Sequence, residues 1–591
     1  MNDFKLDTID IIIMVVYAVF IVGYGLYHAK RKNSEEYFLA GRNMLWPIVG
    51  ISLFAANISS STLVGLAGAA YKTDTHVFNY EWLAAVVLVF FAIFFLPFYL
   101  KSKVYTMPEF LERRYDRRSR YYFSFIMVVG NVLIDTAAAL YVGSIVLQLI
   151  FPNIPSWMII VMLAAAAAAY TIPGGLSSVI HTEVLQAILL VVGSVILTYL
   201  AFGQVGGWSG MIAGLDAKAS AGEFTNPDTA IVLNSAQEVL SMFRGSGQNW
   251  YDFFMGTGQG VDGFMPWTGL LFGAPILGFY FWANNQFMVQ RVLGAKDINH
   301  GRWGALFAGL LKLPVVFIMV LPGTLAILLY SGVDISGINY QFADGTICQK
   351  LKDCPDATYP VLIFDLLPKG LLGLVLAGLL AAMMSSISAT FNSASTLVTM
   401  DFFKQLRPNL TSEQLVRIGQ ITTLVLVILA SAWAPFIAKA GGLWEYLQKV
   451  LAYISPPIAA VFIVGLFWKR ATATGAFAAL MTGFATSIII VWSVIATNMQ
   501  GEQALDFLKF INNIHFLHQT FYLFAICAIV QIIVSLQTAP PSAEQVENYT
   551  WRKELLAEET EELKGLAWYQ NYRILSVLLL IATVIVVWIF R

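Results

Sequence analysis

Two stretches of this 591-residue chain place oxygen-rich side chains inside otherwise apolar sequence. The first is SLFAANISSSTLVG, Ser52–Gly65, and the second is LAAMMSSISATFNSASTLVTMD, Leu380–Asp401. Asn, Ser, Gly and Thr weaken a helix because they offer the backbone other hydrogen bonds. The first stretch is therefore a candidate for an unwound turn, which frees the carbonyls of Ala55 and Ile58. The competing reading is an intact helix whose small side chains permit close packing. Ser385, Ser386 and the Ala382 carbonyl can complete a five-oxygen cage with those two carbonyls. Such a cage contains no carboxylate and suits a monovalent ion such as Na⁺, whereas calcium demands more charge and more ligands. Alternatively, the two serines only bond back to their own helix.

Four ionisable residues lie in or near apolar segments: Glu81 in FNYEWLAA, Asp135 in NVLIDTAAAL, Glu183 in HTEVLQ and Lys312 in LLKLPV. Such groups face a cavity or a partner, because exposing them to lipid costs several kcal/mol. Glu81 and Lys312 read either as a structural ion pair or as ligands of a polar solute. A carboxylate accepts two hydroxyl protons, and an ammonium donates to ring or hydroxyl oxygens. Tyr80 adjoins Glu81 in sequence, and Phe281, Trp282 and Trp444 are aromatic residues of other apolar segments. Their faces can pack on a sugar ring or a cation, or they can act as gates.

The elements that must position these groups are membrane helices. The chain is 58% hydrophobic and 12% charged, with a mean hydropathy of +0.70. Soluble domains carry about 25% charged residues, so the composition is that of an all-α, multi-pass membrane protein. A net charge of -1 gives no sign of a nucleic-acid partner. The sequence contains no Walker A loop, HExxH or GxSxG, and no enzyme is expected.

A span needs about 20 mostly apolar residues, and about fourteen such segments can be placed. They cover 8–28, 46–71, 77–100, 120–150, 156–172, 183–203, 267–292, 303–331, 359–402, 413–434, 443–467, 471–498, 519–537 and 571–590. The 359–402 segment is long enough to include flanking helix at both ends. The first span follows an acidic start and runs into HAKRKNSEEY, which fits a retained helix rather than a cleaved signal. The positive-inside rule places both termini outside: of 35 Lys and Arg, 23 then face inward, 10 outward, and Lys312 and Lys449 fall within spans. Cys348 and Cys354 fall in an outer loop, where they read as a disulfide or as two free thiols.

The expected organisation is an extra span and inner linker over 1–44, a first five-helix repeat over 45–203 and an external loop over 204–266. A second repeat over 267–467, two peripheral spans over 468–537, a cytoplasmic linker with an amphipathic helix over 538–570 and a last span over 571–591 complete it. The segment LFGAPILGFYFWANNQFMVQR is interrupted at Gly273, Pro275 and Gly278, five spans after the first interrupted one. Two broken spans at matching places in successive halves point to an inverted repeat with a site at the midplane, as in secondary transporters.

Over nearly its full length the chain resembles the sodium–glucose cotransporter branch of the solute:sodium symporter family. The resemblance rests on EEYFLAGRNMLWPIVGISLFAANIS, NYEW, VYTMPEFLERRY, GGLSSVIHTEVLQ, VQRVLGAK, LAAMMSSISATFNSASTLVTMD and SPPIAAVFIVGLFWKRATATGAFAAL. It implies a LeuT-type five-plus-five inverted-repeat core, Na⁺-driven uptake by alternating access and a plasma-membrane location. It also implies Na⁺ ligands at Ala55, Ile58, Ala382, Ser385 and Ser386. Sugar-site positions fall on Asn57, Glu81, Lys312 and Gln448, with Trp282 beside Phe281 at an inner gate. Leu66, Tyr80 and Trp444 take the outer-gate positions.

The departures bear on the solute. Thr62 stands where sugar-transporting relatives carry Gln or His, Ala84 replaces a serine, Gly278 replaces Asn or Thr, and Phe281 replaces Tyr. Asp135 adds a carboxylate where relatives carry Lys or Asn. Thr62 and Asp135 are therefore added to the solute-site candidates. The second sodium site of some relatives falls on Glu183, Ser388, Ala389 and Ala56, without two of its hydroxyls, so one Na⁺ per solute is expected. A sugar or polyol is the first-choice cargo. A sugar acid, amino acid or other organic ion, and a sensor or channel on the same scaffold, are the alternatives.

Overall fold

A chain crossing hydrocarbon must pair its own backbone, and an apolar sequence does so as helices. The computed structural model describes residues 6–28, 34–151, 154–226, 231–244, 250–257, 263–336, 347–434 and 443–591. Lys30, Arg31 and Lys32 of the expected inner linker, and parts of the 204–266 loop, lie outside the described residues.

Eleven described segments are long and apolar enough to cross a bilayer, and the pair Ile298–Lys312 and Val316–Tyr330, bent by 43°, makes a twelfth. The apparent span Ser60–Ser102 contains a chain reversal. The register against 298–330 shows it. Val49 lies on Gly304, Asn57 reaches Lys312, and Ala67 meets Gly323, so 46–73 runs parallel to 298–330. Then Glu81 meets Lys312, Ala85 meets Gly309, and the Ala92 carbonyl accepts from Arg302, so the chain is returning. The reversal is the 3-10 turn Asp74–Phe78, with Asp74 at φ 56°. Splitting there, and counting 46–73 and 267–293 as interrupted spans, gives the fourteen expected from sequence.

Helices Trp46–Asn57 and Ile298–Lys312 approach backbone to backbone. A Cβ on Gly50 would lie 2.9 Å from the Gly304 carbonyl. Residue 46–73 and residue 298–330 segments thus form one tightly packed pair, with Asn79–Phe90 against it. The long helices of 156–205 and Leu371–Leu397 form a second tightly packed pair, with Asn131–Thr136 against the latter.

The span 267–293 is divided at Gly273, between the helices Trp267–Phe272 and Ala274–Phe279, and a second time at Asn285. Gly273 is helical (φ -91°, ψ -49°), and Pro275 and Gly278 sit inside the helix Ala274–Phe279. Gly273 is small because the backbone of Leu517 passes directly over it. The sharper break, out of helical dihedrals, comes at Asn285 (φ -67°, ψ 122°), after a π-helical turn over Tyr280–Asn284. Its side chain accepts from the Phe287 amide at 3.0 Å and so starts the next helix, Gln286–Leu293. The long 359–402 segment is also divided. Thr358–Leu366 is a separate helix, and Gly370 at φ 82° precedes Leu371–Leu397.

Cys348 and Cys354 form a disulfide, Cα to Cα 6.3 Å. The loop it closes leads into Pro355, whose carbonyl lies over Gly68. At the far end of the bundle, Asp401 is fully buried and takes four hydrogen bonds. Arg120 gives two, at 2.6 and 3.0 Å, Ser124 one at 2.6 Å and Thr106 one at 2.7 Å. The charged helix Lys553–Leu563 is tied down through Glu559, which accepts from Arg302 and Tyr572 at 2.6 Å each.

Candidate functional site

Unwinding is confirmed at the first polar stretch. The helix Trp46–Asn57 stops at Ile58 (φ -81°, ψ 75°), and Ser60–Thr73 starts after an extended Ser59 (φ -86°, ψ 169°). In a continuous helix the Ser59 amide would bond the Ala55 carbonyl and the Thr62 amide the Ile58 carbonyl. Instead the Ser59 amide goes to Asn57 O (2.9 Å), and the Thr62 amide goes to Ser59 Oγ (3.1 Å). The helical partners of the Ala55 and Ile58 carbonyls are thereby removed. Thr62 Oγ1 donates to Asn57 O at 2.6 Å. Its hydroxyl braces the break, which accounts for a short polar residue at this position.

A cavity of about 130 Å³ lies beside this break. Asn57, Thr62, Glu81, Asp135, Trp282, Lys312 and Gln448 all line it. Lys312 is buried and ion-pairs with Glu81 while donating to Asn57 Oδ1. Glu81 and Lys312 are thus an ion pair, and the pair faces the cavity. The Lys312 Nζ also sits 5.9 Å from the Trp282 ring centre, and Phe281 packs edge-on to Trp282 at 5.4 Å. Asp135 sits on the π-helical turn Asn131–Thr136. Its neighbours fix that turn to the serine-bearing helix: Thr136 Oγ1 meets Thr390 Oγ1 at 2.8 Å, and Asn131 donates to Ser393 at 3.0 Å.

A second cavity, of about 590 Å³, lies next to the first. Its walls include Gly68, Pro355 and Asp356, so it adjoins the disulfide loop. Tyr80, Trp444 and Gln448 line both cavities and form the partition between them. The Tyr80 and Trp444 rings meet edge to face at 5.8 Å and 74°. Tyr80 Oη and Trp444 Nε1 are buried with no hydrogen-bond partner among the described residues. Leu66 is fully buried in the core near this partition and lines neither cavity, so it is placed as packing rather than as a wall. It stands next to Gly65, on which Trp444 rests.

The remaining candidates fall into two groups. Ala55, Ile58, Ala382, Ser385 and Ser386 are all buried. Ser386 lines the smaller cavity and donates to the Ala382 carbonyl at 3.1 Å. Ser385 Oγ lies beside Glu183 without a hydrogen bond of ordinary geometry. The donor set is wholly neutral oxygen, and two of its carbonyls lack their helical amides, which fits a sodium ion. Glu183 itself is engaged elsewhere: it pairs with Arg291 at 2.5 Å and accepts from Ser52 at 2.9 Å. Ser388 donates to Met384 O at 2.6 Å.

With this arrangement in view, the comparisons with known proteins are decisive. Residues 37–483 match the model of the sodium:solute symporter family. The chain belongs to that family. Sodium/glucose cotransporter 4 of Danio rerio is 34% identical over 573 residues, 95% of this chain and 83% of that protein. Sodium/myo-inositol cotransporter 2 of Bos taurus is 34% identical, over 92% of this chain and 79% of that protein. Sodium/glucose cotransporter 1 of Mus musculus is 34% identical, over 94% of this chain and 82% of that protein. A solved Na⁺-coupled sialic acid symporter, in a substrate-bound outward-open state, superposes with a TM-score of 0.69 at 23% identity. It covers 91% of this chain and 100% of that one. The LeuT-type fold expected from sequence is thus the fold of this symporter.

Sequence reading missed three features of the site. Ser61 and Thr390 line the cavity, and Arg291 is the partner of Glu183. Arg291 carried a signal, a cation at the edge of an apolar segment. Its partner is 108 residues away, and only the fold brings them together.

Proposed function

We propose that this symporter uses the sodium gradient to import one small polyhydroxylated solute, a sugar or polyol, with one Na⁺ per solute. The observation that carries the reading is the cavity wall of Asn57, Glu81 and Lys312 beside aromatic rings. Clustered amide, carboxylate and ammonium groups serve the hydroxyls of a ring, and Trp282 and Trp444 serve its apolar faces. At about 130 Å³ the cavity is well under the roughly 300 Å³ of pockets for drug-sized ligands, which favours a single ring. The glucose and myo-inositol cotransporters among its relatives support the same class.

Ala55, Ile58, Ala382, Ser385 and Ser386 are the proposed sodium ligands. An ion there bridges the interrupted span and the serine-bearing helix, and favours whichever state holds those helices at ligand distance. Tyr80 and Trp444 are the proposed outer gate, Phe281 and Trp282 the inner one. Both termini and the disulfide loop face outward. A single sodium is supported by Glu183, whose carboxylate is occupied by Arg291 and Ser52.

Purified protein in liposomes, given an inward sodium gradient, is expected to accumulate glucose or myo-inositol with one charge moved per solute. A measured ratio of two would overturn the single-sodium assignment. Ser386→Ala removes one oxygen ligand. The expected result is about a tenfold rise in half-saturating sodium, equivalent to roughly 1.4 kcal/mol, at little cost in folded yield. An unchanged sodium dependence would remove Ser386 from the ion site.

A further inference from the structure

The smaller cavity is charged unevenly. Three acidic or basic side chains line it among the described residues: Glu81, Lys312 and Asp135. Lys312 and Glu81 neutralise each other, and Asn57 takes a further ammonium proton. Asp135 has no such relief. It makes no hydrogen bond or ion pair among the described residues, and its accessible surface opens on the cavity. The turn that carries it is fixed by the flanking bonds of Asn131 and Thr136 to the serine-bearing helix.

From this geometry we infer that Asp135 selects an amine-bearing sugar or polyol, one whose ammonium group pairs with its carboxylate while the hydroxyls engage Glu81, Lys312 and Asn57. The inference deepens the transport reading above and rests on it. Leaving a carboxylate enclosed and unpaired is unfavourable, and a cationic cargo supplies the missing partner. The cavity offers such a cargo one site for each of its groups. An ammonium goes to Asp135, hydroxyls to the Asn57–Lys312–Glu81 wall, and the ring to Trp282 and Phe281. The same carboxylate repels an acidic sugar, so selectivity comes from repulsion as well as attraction. The sugar-acid alternative is accordingly disfavoured.

The test uses the full chain in liposomes under a sodium gradient, at a pH where the amines are charged. Glucosamine and the positional amino-deoxy isomers of glucose and myo-inositol are compared with the parent compounds and with glucuronate. At least one amine is expected to compete at least about tenfold better than its parent, the size of a hydrogen bond to a charged group, and glucuronate not at all. In Asp135→Asn the ratio of amine to parent should fall to within about threefold. Should that variant fail to fold, the wild-type ranking and a conservative Asp135→Glu variant decide the matter. Sodium-driven uptake of a parent sugar at least as strong as that of every amine overturns the inference and leaves symport standing. No sodium-driven uptake of any compound overturns the transport reading and the inference with it.

Discussion

Glu81→Ala is expected to abolish sodium-driven uptake and to destabilise the protein. The substitution strips Lys312 of its counter-ion inside a buried pair, and breaking such a pair by removing one partner costs about 3–5 kcal/mol. It also removes the one carboxylate on the Asn57–Lys312 side of the cavity. Stability and transport can be separated. Replacing both partners by neutral residues of similar size, Glu81→Gln with Lys312→Met, should recover most of the lost thermal stability. Uptake should stay absent, with any residual binding weakened by about a hundredfold or more, as expected for losing charged hydrogen bonds worth roughly 3 kcal/mol. A double variant that transports normally would show the pair to be scaffold alone.

Asp401→Ala should have a comparable effect on folding by a different route. Four hydrogen bonds converge on this carboxylate, from Arg120, Ser124 and Thr106. Its loss leaves Arg120 buried, with only Glu112 as a counter-ion and the Met400 carbonyl as a further acceptor. The expected penalty is about 3–5 kcal/mol, read as a collapse of monodisperse yield and a fall in melting temperature. Asp401 lines neither central cavity. Whatever folded protein remains should therefore bind solute with an unchanged half-saturation. A large shift in half-saturation with normal yield would mean that this cluster governs the transport cycle rather than the fold.

Much of the architecture was legible in the chain because hydrocarbon imposes one rule on every span. Apolar runs of sufficient length become helices, and polar interruptions stand out against them. The Asn57–Thr62 stretch was readable for that reason: too many side chains there compete for the backbone. The second interruption was legible only in part, because glycine has two uses. Gly273 divides two helices while keeping helical dihedrals and lets the Leu517 backbone pass over it, and Asn285, a residue with no obvious mark, makes the sharper break. Pairings were the least legible. Nothing local joins Glu183 to Arg291 or Arg120 to Asp401, because each pair is created by the way distant spans pack. Thr62 shows a subtler limit. Its type reads as a shortened solute contact, yet its hydroxyl is spent on Asn57 O within the broken turn.

The parallel run of 46–73 beside 298–330 has a mechanical consequence. Gly50, Gly304 and Gly323 let these two backbones touch along their length, so they cannot shear past one another without collision. Asn57 and Lys312 ride on that pair, and Glu81 leans against it, while Asp135, Ser386 and Thr390 belong to the neighbouring block built on Leu371–Leu397. The smaller cavity is thus a seam between two stiff plates, with Asn57, Glu81 and Lys312 on one lip and Asp135 on the other. A cargo that touches both lips is a rivet through the seam. Its length and its charge, rather than the number of its hydroxyls, then set how firmly the plates are held together.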